Sequence, residues 1–234
     1  GTLYHDDPAL GQAEGRPART AMMGDIVHLP NGGMTLNVDV RAAAPIERLD
    51  IFNGKDLIET VRPYAPGDLG NRIRVIWQGA EYRGRFRQVI WDGTAKLYGN
   101  RIEAARPINF FNRDKTLEQR GDSELAWRAL TTGNLGGFDM WAADAQAGRL
   151  SIETPLVSCD LPLSEIGYED MVFDRSAALE RKLRIFRLPA ENAHRAMTLS
   201  RPIPLKDQGD NVIYIRLTQE DGTLAWTSPI YVYR

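Results

Sequence analysis

Cysteine is the scarcest reactive side chain in this chain of 234 residues: Cys159 stands alone. With one thiol there is no intrachain disulfide and no thiolate cage for a metal. Histidine is nearly as rare, with His5, His28 and His194 far apart and none opening an H-x-H or H-E-x-x-H pattern, so no ligand-spaced metal motif is present. The one tight group is His5-Asp6-Asp7, and adjacent side chains on an extended backbone point to opposite sides rather than at one ion. No apolar stretch approaches the roughly 20 residues of a membrane-crossing helix, and the opening residues hold no apolar core of a secretory signal. Lysine is sparse as well, 5 against 24 arginines, and 29 basic side chains face 31 acidic ones for a net charge of -2. That balance gives no field to attract nucleic acid or an anionic membrane. The glycines between Gly133 and Gly137 are followed by neither the lysine nor the hydroxyl residue of a phosphate loop. No cofactor is indicated, and long helical periods between strands, which a TIM barrel or doubly wound sheet requires, are missing.

What is present is period-2 alternation. Met34, Leu36, Val38 and Val40 alternate with Thr35, Asn37, Asp39 and Arg41, and Ile213, Ile215 and Leu217 alternate with Tyr214, Arg216 and Thr218. Each pattern gives a strand one apolar face. Asn53-Gly54 and Asp221-Gly222 supply hairpin turns, and Pro229 ends or bends the strand that follows the second of them. The reading is all-β: an Ig-like β-sandwich built from 31–65 and 182–234, with a substantial β-rich insertion over 72–165 and residues 1–30 as an extended leader or linker. The interruption at 63–71, with Pro66, Gly67 and Gly70, is the predicted internal boundary. Residues 175–184 allow a short helix, but Leu183 and Ile185 favour a strand over 182–188. Within the insertion a strand is expected over 72–77, and the three strands over 82–91, 95–98 and 101–104 are expected to form a meander with tight turns at Asp92-Gly93 and Gly99-Asn100.

Candidate binding residues come from two patterns. Arg83, Arg85 and Arg87 share one face of the strand predicted over 82–91, where stacked cations need acidic neighbours or an anionic ligand opposite. Trp91 and Trp141 stand beside turn or loop sequence and offer an exposed aromatic platform, whereas Trp77 and Trp226 read as core. Cys159 reads as a structural thiol, with no histidine near it in sequence. A pair of carboxylates across a sugar bond is all that a glycosidase needs, but no pair is singled out by spacing. No catalytic or metal residue is therefore nominated.

Several segments carry a resemblance. DNVIYIRLTQEDGTLAWTSPIYVYR at the end of the chain, WQGAEYRGRFRQVIWDG at 77–93, RPINFFNRDKTL at 106–117, LTTGNLGGFDMW at 130–141 and APIERLDIFNGKDLIETVRPY at 44–64 together resemble the C-terminal β-rich region of the uncharacterised DUF3604 family. In that family a PHP-like predicted metal-hydrolase domain precedes this region. The resemblance spans about 31–234 and implies metal-binding histidines and carboxylates in the preceding domain, which this sequence lacks. It implies a non-catalytic accessory or interaction domain for this chain, with the adjacent hydrolase domain or protein as partner and a homo-oligomer as a further option. A carbohydrate-binding module and a hydrolase whose active residues meet only in space are the alternatives. The cellular compartment is left undetermined.

Overall fold

A computed structural model describes residues 1–5, 14–84, 87–173 and 181–234, and its regular structure is β throughout apart from short 3-10 turns such as Pro66–Asp68 and Leu163–Glu165. The chain forms two compact units, Gly1–Pro63 with Ala193–Arg234, and Tyr64–Asn192 inserted between them.

The outer unit begins with β1 (Thr2–His5), β2 (Glu14–Pro17) and β3 (Ile26–His28), followed by β4 (Met34–Arg41), β5 (Ile46–Asn53) and β6 (Asp56–Val61). Three strands thus lie where an extended leader or linker was expected. β1 pairs with both β2 and β3, and β3 runs parallel to the last strand of the chain with Val27 beside Val232. These short strands have little apolar period of their own, so the backbone ladder, which leaves no trace in composition, places them. Asp6 and Asp7, and with them the His5-Asp6-Asp7 cluster, lie outside the described residues, as does most of the helical option at 175–184.

The inserted unit contains β7 (Arg72–Gln78), β8 (Val89–Ile90), β9 (Gly93–Tyr98), β10 (Ile102–Ile108), β11 (Leu117–Arg120), β12 (Glu124–Trp127), β13 (Leu130–Thr131), β14 (Leu135–Ala142), β15 (Arg149–Glu153), β16 (Ser158–Pro162), β17 (Met171–Phe173) and β18 (Lys182–Leu188). It is a sandwich of two five-stranded sheets, ordered β10-β14-β7-β18-β17 and β11-β12-β9-β15-β16. Between them lie Val75 and Trp77 of β7, Phe138 and Met140 of β14 and Ile185 of β18 from one sheet, with Leu97, Leu125, Trp127, Leu150 and Ile152 from the other. Each such side chain contributes roughly 1.5–3 kcal/mol on burial. Trp77 and Trp127 stack with ring centroids 5.2 Å apart and planes 9° from parallel, an arrangement that adds to area burial alone.

The chain then returns to the outer unit with β19 (Ala196–Ile203), β20 (Asn211–Gln219), β21 (Leu224–Trp226) and β22 (Ile230–Tyr233). An eight-stranded sheet, β2-β1-β3-β22-β20-β5-β6 with β21 also on β20, carries Leu49, Ile51, Ile213, Ile215, Ile230 and Val232 into one core with Leu36 and Val38 of β4 and Leu199 and Ile203 of β19. β4 and β19 form their own two-stranded ribbon. The final hairpin turns where expected, with Gly222 at φ 86 and the Gln219 N–H donating to the Thr223 carbonyl at 2.9 Å. Trp226 is 59% exposed rather than core, because β21 is a three-residue strand bonded only to β20.

Three expectations are corrected. Residues 182–188 form β18 of the insertion, bonded to β7 with Ile185 beside Val75, and do not join the outer sandwich; the insertion runs from Tyr64 to Asn192 rather than 72–165. The expected meander does not form, since β9 pairs with β12 and β15 while β10 pairs with β14 in the opposite sheet. The connection at Gly99-Asn100 therefore crosses between sheets, because burying both apolar faces outweighs pairing sequence neighbours. Asp92-Gly93 is not a primed turn: Gly93 opens β9 in a strand conformation. A Cβ on it would strike the Glu153 carbonyl oxygen and come within 2.8 Å of Trp127 Cζ2. Gly93→Val is accordingly expected to destabilise the protein by about 1–3 kcal/mol through overpacking. A urea unfolding midpoint equal to that of the parent would contradict this packing.

Candidate functional site

The residues nominated from sequence do not converge. Among the described residues of the predicted 82–91 strand, only Val89–Ile90 is a strand. Arg83 and Arg87 are exposed, Arg87 at φ 51, and Arg83 lies over the Tyr82 ring at 5.8 Å. Arg85 lies outside the described residues. Without a continuous strand, alternation no longer holds Arg83 and Arg87 to one face. Trp91 is 0% exposed in the core of the inserted unit, donating its indole N–H to Thr131 Oγ1 at 3.0 Å, so it is no platform. A buried indole needs such a partner, and β13 beside β8 provides it. Trp141 is half-buried and projects from β14 on the face opposite Phe138 and Met140. Its indole N–H donates to the Ala190 carbonyl at 3.0 Å, and the Arg72 and Arg106 guanidiniums lie 5.1 and 5.8 Å from its ring.

Those arginines belong to a buried charge cluster. Asp139 of β14 stands opposite Arg74 of β7 and Arg106 of β10 in the sheet register. Its carboxylate accepts from Arg72 Nη2 at 2.7 Å, Arg74 Nε at 2.7 Å and Arg106 Nη2 at 2.8 Å. Asp139 and Arg74 are wholly buried, and half of the Arg106 side chain reaches solvent. Burial alone pushes the Asp139 carboxyl pKa up, but Arg74 and Arg72 pull it further down, to well below the usual carboxylate range. Arginine suits this position because its planar fork gives paired donors that lysine lacks. In the outer unit Asp50 is held in the same way by Arg216 at 2.9 Å and Thr60 at 2.7 Å. The arginine excess is therefore spent partly inside the protein, not only on solvated sheet faces. Cys159 is half-buried, and burial first, then Glu153 and Asp160, push its thiol up to about 11, which suits a structural role.

A concave site lies elsewhere in the inserted unit, where the end of β7 and the start of β14 meet the loops over 109–116 and 128–134. Its cavity of about 190 Å³ is floored by Trp77, with Phe110 meeting that indole edge to face at 6.1 Å. Gly136 opens the floor, since a Cβ there would lie 2.9 Å from Trp77 Nε1. Asn109 adopts φ 58, tolerable for asparagine, and donates from Nδ2 to the Leu135 carbonyl at 3.0 Å, tying one loop to β14. Phe111 stands at the rim, 85% exposed, with Lys115 and Arg128 also on the lining. Sequence reading passed over this site because its parts come from loops distant in the chain. The adjacent Phe110 and Phe111 in a charged, turn-rich segment were the available signal, since a loop has no core of its own to bury two aromatics.

Among the described residues no group of three or more histidine, cysteine or carboxylate side chains is placed to hold a metal ion. The chain matches no protein-family profile, no curated protein and no solved structure.

Asp139→Asn is expected to cost on the order of 3–5 kcal/mol at neutral pH by leaving buried guanidiniums uncompensated. Because the folded pKa is depressed, the carboxylate's stabilisation is complete above the unfolded value of roughly 4 and is lost as the pH falls towards the folded one. The gap between parent and variant in urea midpoint should therefore narrow from pH 7 to pH 3. A gap that stayed constant would refute the charge pairing.

Proposed function

We propose that this chain is a non-catalytic accessory or interaction domain, of the kind that accompanies a metal-dependent hydrolase domain in the family it resembles. The observation that carries this reading is the chemistry of the cavity over Trp77. Its lining consists of aromatic, aliphatic and amide side chains with Lys115 and Arg128. Among the described residues it holds no carboxylate, imidazole, hydroxyl or thiol to serve as base or oxygen or sulfur nucleophile, which suits recognition rather than transformation. The buried carboxylates Asp139 and Asp50 are committed to structural arginines, which withdraws these two from acid–base chemistry. The sequence resemblance supports the association with a hydrolase domain as partner, and the two-layer outer unit supports an immunoglobulin-like description of that part.

A second reading, a carbohydrate-binding module, is favoured by the same cavity, where the exposed Phe111 ring stands beside amide side chains. Aromatic faces and amides are the groups that sugars use for stacking and directed hydrogen bonds. The test is a hydrolase panel on ester, phosphoester and glycoside substrates, run with this chain in the presence of Zn²⁺, Mn²⁺ or Mg²⁺. No turnover above a buffer control is expected. Metal-dependent turnover that survives repurification and disappears on substitution of residues in this chain would overturn the accessory reading.

A further inference from the structure

The cavity over Trp77 offers several side-chain hydrogen-bond donors. The Trp77 indole N–H, on a side chain only 1% exposed, has no acceptor among the described residues, and its nitrogen sits above Gly136 on the cavity floor. The indole N–H groups of Trp91, Trp127 and Trp141 each have a partner, whereas that of Trp77 is left to the open space of the cavity. Asn134 uses its side-chain carbonyl to accept the Thr132 N–H at 2.9 Å, and Asn112 uses its own to accept the Asp114 N–H at 2.9 Å. Both are left with amide NH₂ groups as their remaining polar atoms. Lys115 and Arg128 add two cations, and neither pairs with a carboxylate among the described residues, in contrast to Arg72, Arg74, Arg149, Arg201 and Arg216.

Several donors at one site select an acceptor-rich ligand, and two cations without a carboxylate partner among the described residues select a negative charge. Size narrows the choice further. About 190 Å³ is below the roughly 300–1,000 Å³ of sites for drug-sized molecules, so one ring fits and a long chain does not enter. Phe110 and Phe111 supply aromatic surface for that ring.

We infer that this cavity binds a single anionic sugar ring, carrying a carboxylate or sulfate towards Lys115 and Arg128, with a ring or hydroxyl oxygen accepting from the Trp77 indole. This rests on the carbohydrate-binding reading above and adds the charge and size of the ligand. The anion supplies the charge that the cations lack, and the sugar's oxygens supply acceptors for Trp77, Asn112 and Asn134.

The full chain is titrated with D-glucuronate, glucose 6-sulfate and neutral glucose, followed by tryptophan fluorescence and calorimetry. Binding of at least one anionic ring is expected to be about tenfold or more tighter than that of glucose, since a charge-assisted hydrogen bond is roughly twice as strong as a neutral one. Which of the two anions binds better identifies carboxylate or sulfate as the source of the charge. Lys115→Gln and Arg128→Gln should each weaken anion binding about fivefold or more and weaken glucose binding by less. Gly136→Ala should abolish binding by placing a methyl against the indole nitrogen. Should Gly136→Ala prove unstable, the two rim variants decide alone, because Arg128 is exposed and Lys115 partly so. Equal affinity for glucose, or charge variants that bind like the parent, would overturn the inference while leaving a neutral-sugar module intact. No saturable binding by either anionic ring would also overturn it, and would leave the accessory reading to the hydrolase panel.

Discussion

Asp139 has no access to water in the middle of β14, and a carboxylate there is tolerable only because guanidiniums from the two neighbouring strands reach it. Arg74 and Arg106 stand opposite it in the register, and Arg72 lies two residues along β7. A slip of either pairing by one residue would turn Asp139 or its partners to the other face, among Val75, Trp77, Phe138 and Met140, where no counter-charge waits. The ion cluster thus penalises a one-residue slip of either pairing. Hydrophobic packing alone discriminates less sharply, because one aliphatic side chain substitutes for another more readily than a neutral one does for a carboxylate.

Fixing β7 against β14 has a local result at the far end of the same strands. Trp77 closes β7 on the core face, and Gly136 stands directly opposite it on β14. The missing side chain at Gly136 leaves space beside the indole, while Trp127 stacked beneath keeps the ring from tilting into it. The concave site is therefore set on rigid strands at its floor and on loops at its rim. Pre-organisation of this kind lowers the ordering cost of binding.

The fold class was legible because alternation in 34–41 and 213–218 needs no partner to be recognised: Leu36, Val38, Ile213 and Ile215 are core. The hairpin at Gly222 was legible for a similar reason, since a turn is local chemistry. Sheet membership was not. Nothing around Tyr98 and Ile102 indicates that their strands lie in opposite sheets, and Leu183 and Ile185 suit either unit's core equally well. The opening strands β1 to β3 are held by backbone bonds, to which composition is blind. Gly93 shows a different failure: Asp-Gly commonly marks a turn, yet here glycine is required by a carbonyl and an indole pressed against its α-carbon. The cavity escaped notice because its rim is assembled from two loops and no single segment shows its chemistry.

The placement of one unit within the other also bears on the order of events during folding. β5 must find β20, and β4 must find β19, across the whole insertion. Closing a loop grows costlier only logarithmically with length, about 0.6 kcal/mol for each doubling, yet about 155 residues separate the strands of each pair, a sizeable search. Inside the insertion, however, the Gly70 N–H donates to the Leu188 carbonyl at 3.0 Å, and Gly70 approaches Ala190 so closely that it has no room for a Cβ. Its two ends therefore lie side by side once it has folded. A folded insertion acts as a short tether, reducing a long-range encounter to one resembling a hairpin. The outer sheet, though it contains the first strand of the chain and the last, is kinetically the dependent partner.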